Sequence, residues 1–439
     1  MPLKSPWLLR WQGLISCTPT SLSLWSGGIL ATLLAALPFF SRIGLGAMIL
    51  ATGALWVLWS IVTPPDKIGA VSSWVLTVLS ISILTTGFSP VPLAAAKGLL
   101  KLMSYLGVYA LVRRLIAVNA YWWDRLAASL IGGGIFVSVL ALRQLYVPTE
   151  ELARWMDPNS VAAGTVRIYG PLNNPNLLAG YLVPILPIAM VSVLRWHGWG
   201  SRLFILVALG LISTATLFSY SRGGWLAMLT AIGLSILFLV LRKTRDWSYQ
   251  KRWLLLLGLL LIAFTLLIVA ASHVEPVRIR LESLLAGRED TSNNFRITVW
   301  LTALQMIGDR PWLGIGPGNT AFNIIYPLYQ ETRFNALSAY SVPLEILIET
   351  GVPGLLAALG LAITAMRRGL HSITISEGPT ELPAIASLAA LGAISMQGLT
   401  DTILYRPEVQ VTAWFCLATL AQPLPNNLIE TPSPGSCQL

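Results

Sequence analysis

Trp253–Ser272 reads WLLLLGLLLIAFTLLIVAAS, and the chain then runs on as HVEPVRIRLESLLAGREDTSNNFR to Arg296. The first stretch is uncharged over a length that crosses the hydrocarbon core, about 20 apolar residues. The second opens a polar segment, about Ser272 to Tyr340, that holds six arginines and no lysine. An apolar run of membrane length that ends in a long arginine-rich segment describes a membrane span followed by an extramembrane loop.

Outward from this junction, runs of the first kind fill most of the 439 residues. Twelve candidate spans lie at roughly 22–40, 43–63, 70–88, 92–112, 126–146, 177–194, 202–220, 223–241, 253–272, 342–365, 383–400 and 408–422. The chain is 55% hydrophobic and 11% charged, with mean hydropathy +0.70. Soluble domains carry roughly 25% charged residues, and no soluble core absorbs so many consecutive runs of this length. The expected fold is an all-α polytopic membrane protein of about 12 transmembrane helices, with one large, partly helical periplasmic loop between spans 9 and 10. The expected division is a cytoplasmic N-terminus 1–21, nine spans over 22–272, a periplasmic or lumenal loop 273–341, three spans over 342–422 and a disordered cytoplasmic tail 423–439. No internal repeat is evident. Pro423, Pro425, Pro432 and Pro434 give the tail its character.

The net charge of +10 invites a nucleic-acid reading, but the short loops account for it through the positive-inside rule. Arg113, Arg114 and Arg125 flank one loop, Arg195 and Arg202 another, and Arg242, Lys243, Arg245, Lys251 and Arg252 fill a third. Arg367 and Arg368 start a fourth. All four share one side with Lys4 and Arg10 if the N-terminus is cytoplasmic, so both termini are expected in the cytoplasm, with membrane lipids and no nucleic acid as partners. Lys97 and Lys101 make the fourth span the weakest; they share a helical face and either snorkel or turn to the bundle interior. The first span lacks a small-residue cleavage site and is expected to be retained. Cys17, Cys416 and Cys437 lie near the termini, leaving no disulfide framework for the loop.

The outer side should carry any chemistry. In the large loop, Val277–Ala286 is a short helix candidate, and Thr291 and Ser292 can cap a second helix to about Ile307, ended by Gly308. That second helix would align Arg296, Trp300 and Leu304 on one face. The loop arginines are Arg278, Arg280, Arg288, Arg296, Arg310 and Arg333. A guanidinium is a permanent, fork-shaped cation that suits phosphate. The alternative is that they pair with Glu275, Glu282, Glu289, Asp290, Asp309 and Glu331. Arg222, in Ser219–Leu226 (SYSRGGWL), has no acidic neighbour in sequence and sits at a turn into a helix whose first N–H groups favour anions. In Arg167–Asn176 (RIYGPLNNPN), Arg167 is another outer cation, and Asn174 or Asn176 can cap the span that follows. Glu345 and Glu349 begin the tenth span, and Glu349 is expected to meet an arginine. Asp401 and Arg406 bracket the last outer turn and can pair with each other. His273 is the only histidine expected outside, and lone interfacial histidines are mostly structural. No cofactor or metal is expected, because nothing resembles HExxH or CxxC. Gly314–Asn319 (GIGPGN) lacks the strand and helix of a dinucleotide fingerprint.

In order along the chain, Arg167 with Asn174-Pro175-Asn176, Ser221-Arg222-Gly223-Gly224-Trp225, Arg296 with Trp300, Pro311-Trp312-Leu313-Gly314-Ile315-Gly316, and Leu344-Glu345 with Glu349-Thr350-Gly351 and Pro353-Gly354 resemble the O-antigen ligase/polymerase superfamily. The resemblance covers about 160–365. Within that superfamily the chain looks most like the cyanobacterial IctB family, named for a proposed role in inorganic carbon accumulation. The resemblance implies a metal-independent glycosyltransferase. It would bind a saccharide on undecaprenyl pyrophosphate and pass it to a hydroxyl of a glycan acceptor at the outer face. Arg222 and Arg296 would hold the pyrophosphate, with Arg167, Asn176, Trp300 and Glu349 as further substrate-binding positions. The family's histidine before the tenth span aligns with Tyr340, whose ordinary pKa near 10 makes a poor base. Three outcomes follow: an arginine activates Tyr340, His273 substitutes as the catalytic residue, or the ligase reaction does not run. The other functional readings are bicarbonate accumulation or transport, and a non-catalytic relative. Transport is disfavoured because no inverted repeat and no pair of Gly/Pro-broken spans in matching halves is visible, and intramembrane charges are few.

Overall fold

A computed structural model of the chain describes residues 19–65, 67–146, 167–273, 278, 287–330, 335–375 and 380–422. Among the described residues all regular structure is helical. The helices are α1 (Pro19–Ala36), α2 (Arg42–Val62), α3 (Ala70–Gly87), α4 (Pro92–Val118), α5 (Tyr121–Arg143), α6 (Pro175–Leu182), α7 (Ile185–Arg195), α8 (Trp199–Phe218), α9 (Arg222–Lys243) and α10 (Tyr249–His273). There follow α11 (Thr291–Asp309), α12 (Asn319–Ile325), α13 (Val342–Ile375), α14 (Glu381–Gly398) and α15 (Pro407–Leu420).

Nine helical spans among the described residues are long and apolar enough to cross a membrane. They are α1 to α5, the α6–α7 pair, α8, α9 and α13, and they make this an integral membrane protein. Helices also occupy the three remaining intervals, as α10, α14 and α15, outside that set of nine. At 14 residues, α15 rises only about 21 Å, against a hydrocarbon core of about 30 Å. Side chains such as Ile43, Leu93 and Leu254 are exposed on these helices, as a lipid-facing surface requires. Buried hydroxyls turn back on their own helices: Thr216 Oγ1 donates to Ile212 O at 2.8 Å and Ser235 Oγ to Ala231 O at 2.6 Å. No polar side chain is then left bare against hydrocarbon there.

The bundle is organised around α14, which packs against α7, α9, α13 and α15. α10 touches the bundle thinly, through α9. A second apolar cluster forms apart from the main core. It joins Val299, Ala303 and Met306 of α11, Phe322 and Tyr326, Ala336 and Ala339, to Ala94 of α4 and Ile348 of α13. The described part of the large loop is therefore a folded unit seated on α4 and α13.

The seat is built on a break in α13. Pro353 has no N–H and its ring excludes the carbonyl four residues back, that of Glu349. Gly351 takes φ 66°, ψ −169°. The freed groups find partners in the loop: Ile315 N–H donates to Ile348 O (2.8 Å), Gly316 N–H to Glu349 O (2.9 Å), and Val352 N–H to Pro311 O (2.8 Å). Each such group left unmet inside a membrane would cost several kcal/mol. The glycine run that reads as an irregular turn in the sequence is thus the plug for a helix break. The α6–α7 span is also interrupted, at Val183–Pro184, where both residues keep helical angles. Both interruptions coincide with a proline, Pro184 and Pro353; short helical segments around a single proline read as continuous hydropathy.

Two local expectations change. α11 is capped by Asp290, which accepts from Asn293 N–H at 3.0 Å, in place of Thr291 or Ser292, because aspartate sits one position earlier with a stronger acceptor. The helix runs through Gly308 to Asp309. The helix expected over 277–286 lies, except for Arg278, outside the described residues, as do Arg280, Arg333, Glu275, Glu282, Glu331, the loop 147–166, residues 1–18 and the tail 423–439.

A Cβ added at Gly351 would lie 2.5 Å from the carbonyl carbon of Trp312. Gly351→Ala should lower unfolding stability by about 3 kcal/mol, from positive-φ strain plus displacement of the plug. Gly233→Ala, in open space within α9, should not lower it. Thermal unfolding of both variants in detergent checks the contrast.

Candidate functional site

The site begins at the turn between α8 and α9. Ser221 caps α9, its Oγ accepting from Gly224 N–H at 3.1 Å, which leaves Arg222 as the first helical residue. A Cβ at Gly224 would meet the Ala179 methyl at 2.4 Å. The Ser-Arg-Gly-Gly sequence thus supplies a cap, a cation and the bare backbone that lets α9 start against α6. Tyr220, just before, has φ 48°.

Arg222 is not without an acidic neighbour in space. Its Nη2 meets Asp290 Oδ1 at 3.0 Å, with the arginine side chain 10% and the aspartate 1% exposed. One carboxylate therefore caps α11 and neutralises Arg222. This corrects the sequence pairing, which left Arg222 alone and shared the acids among the loop arginines. Elsewhere Arg288 donates to Asn294 Oδ1 (3.3 Å), and Asp309 accepts from the Tyr329 hydroxyl (2.7 Å).

From its cap, α11 carries Phe295, Arg296 and Trp300 over the site. Phe295 packs edge-on to Tyr340, ring centroids 5.4 Å apart. Arg296 interacts electrostatically with Asp401, Arg222, Tyr340 and Asp290. Burial lowers its pKa from the ordinary arginine value and Arg222 adds to that, while Asp401 leads the opposing effects; a guanidinium remains charged through such shifts. Trp300 is half-buried, and its indole N–H has no hydrogen-bond partner.

A second chain of contacts fixes the opposite wall. Arg167 donates from Nε to Ser219 O (3.0 Å) and from Nη2 to Asn176 Oδ1 (2.9 Å). Asn176 Nδ2 then donates to Asp401 Oδ2 (3.1 Å), and Gln397 Nε2 to Asn176 O (2.8 Å). Asn174, of the two candidates, caps α6, accepting from Asn176 and Leu177 N–H at 2.8 and 3.2 Å. Asp401 does not take the expected ion pair with Arg406; its other oxygen accepts from Thr402 N–H (2.8 Å). The acid is anchored by α6 because its turn folds back onto that helix.

Tyr340 lies on the strap 335–341, which three contacts hold. Ser338 Oγ meets Thr402 Oγ1 at 2.7 Å, Ala339 N–H donates to Glu345 Oε2 at 2.6 Å, and Asn319 Nδ2 reaches Leu337 O at 3.3 Å. Tyr340 has φ 50°, strain of the kind that gathers at functional sites. Burial pushes its phenol above the ordinary tyrosine value and Asp401 pushes it further; Arg296 and Arg406 oppose without prevailing. The activation of Tyr340 by an arginine, one of the three outcomes expected, runs against this balance.

Arg167, Asn176, Arg222, Arg296 and Tyr340 thus converge. His273 ends α10 on the exposed side, beside Ser272 Oγ at 2.8 Å, and is not among the electrostatic neighbours of Arg296, Tyr340 or Asp401. Among the described residues Glu349 meets no arginine. Its oxygens accept from Gly318 N–H (2.7 Å) and the Tyr405 hydroxyl (3.1 Å), near Lys101, whose Nζ donates to Tyr405 O at 3.1 Å. It serves the plug, because the glycine loop reaches it before any guanidinium does. Sequence reading missed Asp290 as the counterion of Arg222 and Asp401 as the partner of Asn176. The first had a signal, an aspartate directly before a helix start; the second had only its isolation in an apolar outer turn.

Residues 205–359 match the family described as O-Antigen ligase. No curated protein matches the chain. The matched stretch runs from α8 into α13 and holds Arg222, Arg296 and Tyr340; Arg167, Asn176 and Asp401 lie outside it. The class defined by fold and site is an integral membrane protein with an O-antigen ligase-type segment. The match supports the ligase/polymerase superfamily.

Breaking the Arg222–Asp290 pair from either side should destabilise the protein by about 3 kcal/mol, since the remaining charge is buried alone. Asp290→Asn keeps an N-cap and isolates the charge effect. Unfolding of Arg222→Ala, Asp290→Asn and the double variant should be clearly non-additive, with a coupling of about 1–3 kcal/mol; additive losses would rule the pair out as a stabilising contact.

Proposed function

We propose that this protein is a membrane glycosyltransferase of the O-antigen ligase type. It binds a saccharide carried on undecaprenyl pyrophosphate and transfers it to a hydroxyl of a glycan acceptor at the outer face. The membrane is the bacterial inner membrane, crossed twelve times with both termini in the cytoplasm and the loop 273–341 outside. The observation that carries the reading is the convergence of Arg222 and Arg296 from separate elements. Asp290 and Asp401 already offset part of their mutual repulsion, and a polyanionic ligand would offset more. A pyrophosphate leaving group needs such a pair of guanidiniums, because its charge grows as the sugar bond breaks.

Purified protein in nanodiscs should bind undecaprenyl pyrophosphate, and Arg222→Ala and Arg296→Ala should each weaken that binding and slow transfer about 10²–10³-fold. Unchanged binding in both variants would sink the reading.

A second reading, handling of bicarbonate or another small anion as in the IctB family, draws on the same arginines and on the two interrupted spans. Bicarbonate flux into sealed proteoliposomes, lost in Arg222→Ala, would favour it over transfer.

A further inference from the structure

Transfer to a hydroxyl needs a group that removes its proton. Four side chains of the site region are candidates. Tyr340 is displaced upward in pKa and so holds its proton. His273 stands at the exposed end of α10, a helix that barely touches the bundle. Asp290 is 1% exposed and committed twice, to Arg222 and to the cap of α11. Asp401 differs from all three. It is half-buried, less enclosed than Asp290, each of its oxygens accepts one protein hydrogen bond, and a carboxylate has lone pairs to spare beyond those two. Its electrostatic partners are Arg296 and Arg406, and it in turn acts on Tyr340.

We infer that Asp401 is the general base of the transfer reaction, with Asn176 and Arg167 as positioning residues that hold its carboxylate toward the arginine pair. The inference rests on the reading proposed above. The acceptor O–H gives its proton to Asp401 while its oxygen bonds to the anomeric carbon. The bond from that carbon to the phosphate oxygen breaks, and its electron pair leaves on the pyrophosphate beside Arg222 and Arg296. The proton then passes from Asp401 to water.

Geometry explains why an aspartate suffices. Burial raises the pKa of Asp401 above the ordinary carboxylate value, with Arg296 the largest opposing influence, then Thr402 N–H, Asn176 and Arg406. A base is competent when deprotonated, so turnover should fall as pH drops through that raised value. Removing the Asn176 hydrogen bond removes one influence that lowers it, so the acid limb should move to higher pH.

The test uses the full chain in nanodiscs, with undecaprenyl-pyrophosphate-linked N-acetylglucosamine as donor probe and glucose, in water, as acceptor probe. Release of undecaprenyl pyrophosphate reports turnover, and direct titration reports donor binding. Asp401→Asn should keep donor binding within about threefold and slow turnover about 10²–10⁴-fold, the range of general-base contributions. Asp401→Glu should restore part of it, and Asn176→Ala should shift the acid limb upward. Undiminished turnover in Asp401→Asn overturns this inference alone, as does donor binding that falls in step with turnover. If Asp401→Asn does not fold, an unmoved acid limb in Asn176→Ala decides against it. Donor binding by the parent without turnover also overturns it, whereas no binding by the parent overturns the transferase reading itself.

Discussion

The hydrogen bonds between Pro311, Ile315 and Gly316 of the loop and Val352, Ile348 and Glu349 of α13 hold the molecule's two halves in register. A broken helix inside a membrane is tolerated only where its freed backbone groups are met. Here they are met by the loop that follows α11, so the membrane part and the loop cannot be ordered independently. Gly318 N–H on Glu349 and Ser89 Oγ on Ile315 O extend the same seam to the turn that leads into α4. Because α11 packs on α13 and the second apolar cluster sits between them, the position of Arg296 follows from the seam. The α8–α9 turn that carries Arg222 is then tied to α11 by Asp290. A cation of the bundle and a cation of the loop come together because of backbone bonds some distance away.

Much of the fold was legible because span length and apolar composition are one-dimensional properties. The runs at α8 and α9 need no partner to be recognised. The α11 helix was legible too, from its polar start, although its cap is Asp290. What escaped was whatever depends on the third dimension. The break at Gly351 and Pro353 is spelled out in sequence, but the loop that fills it lies before the helix and shows as glycines in no regular pattern. Glu349 was expected to find an arginine on charge grounds, and a backbone N–H reached it first. Among the site residues, Arg222, Arg296, Arg167 and Asn176 were picked out because arginine and helix-cap asparagine at an outer turn have few other uses. Asp401 was set aside as the mate of Arg406, five residues away, because nearness in sequence favoured it. Its partner Asn176 is 225 positions distant.

Strain is distributed with the same logic. Asn173, Tyr220 and Tyr340 are the non-glycine residues with positive φ among those described. They fall, respectively, before Asn176, before Arg222 and on the strap facing Arg296. Such angles cost about 1–3 kcal/mol each and persist only where surrounding contacts over-determine them. Three turns around the site are thus held in shapes that relaxation alone would not choose. The strap is pinned through Thr402 and Glu345, and the α8–α9 turn through Arg167 on Ser219 O.

Because Arg222 already holds Asp290, an incoming anion at that guanidinium displaces a carboxylate and not merely water. A chloride or a single carboxylate offers Arg222 little that Asp290 does not, and it must leave that aspartate buried without its partner. In the proposed transfer, a ligand with several negative oxygens that spans Arg222 and Arg296 engages two cations at once, where a small ion engages one. The resting site is in this sense self-occupied: Asp290 stands beside Arg222 before any ligand arrives.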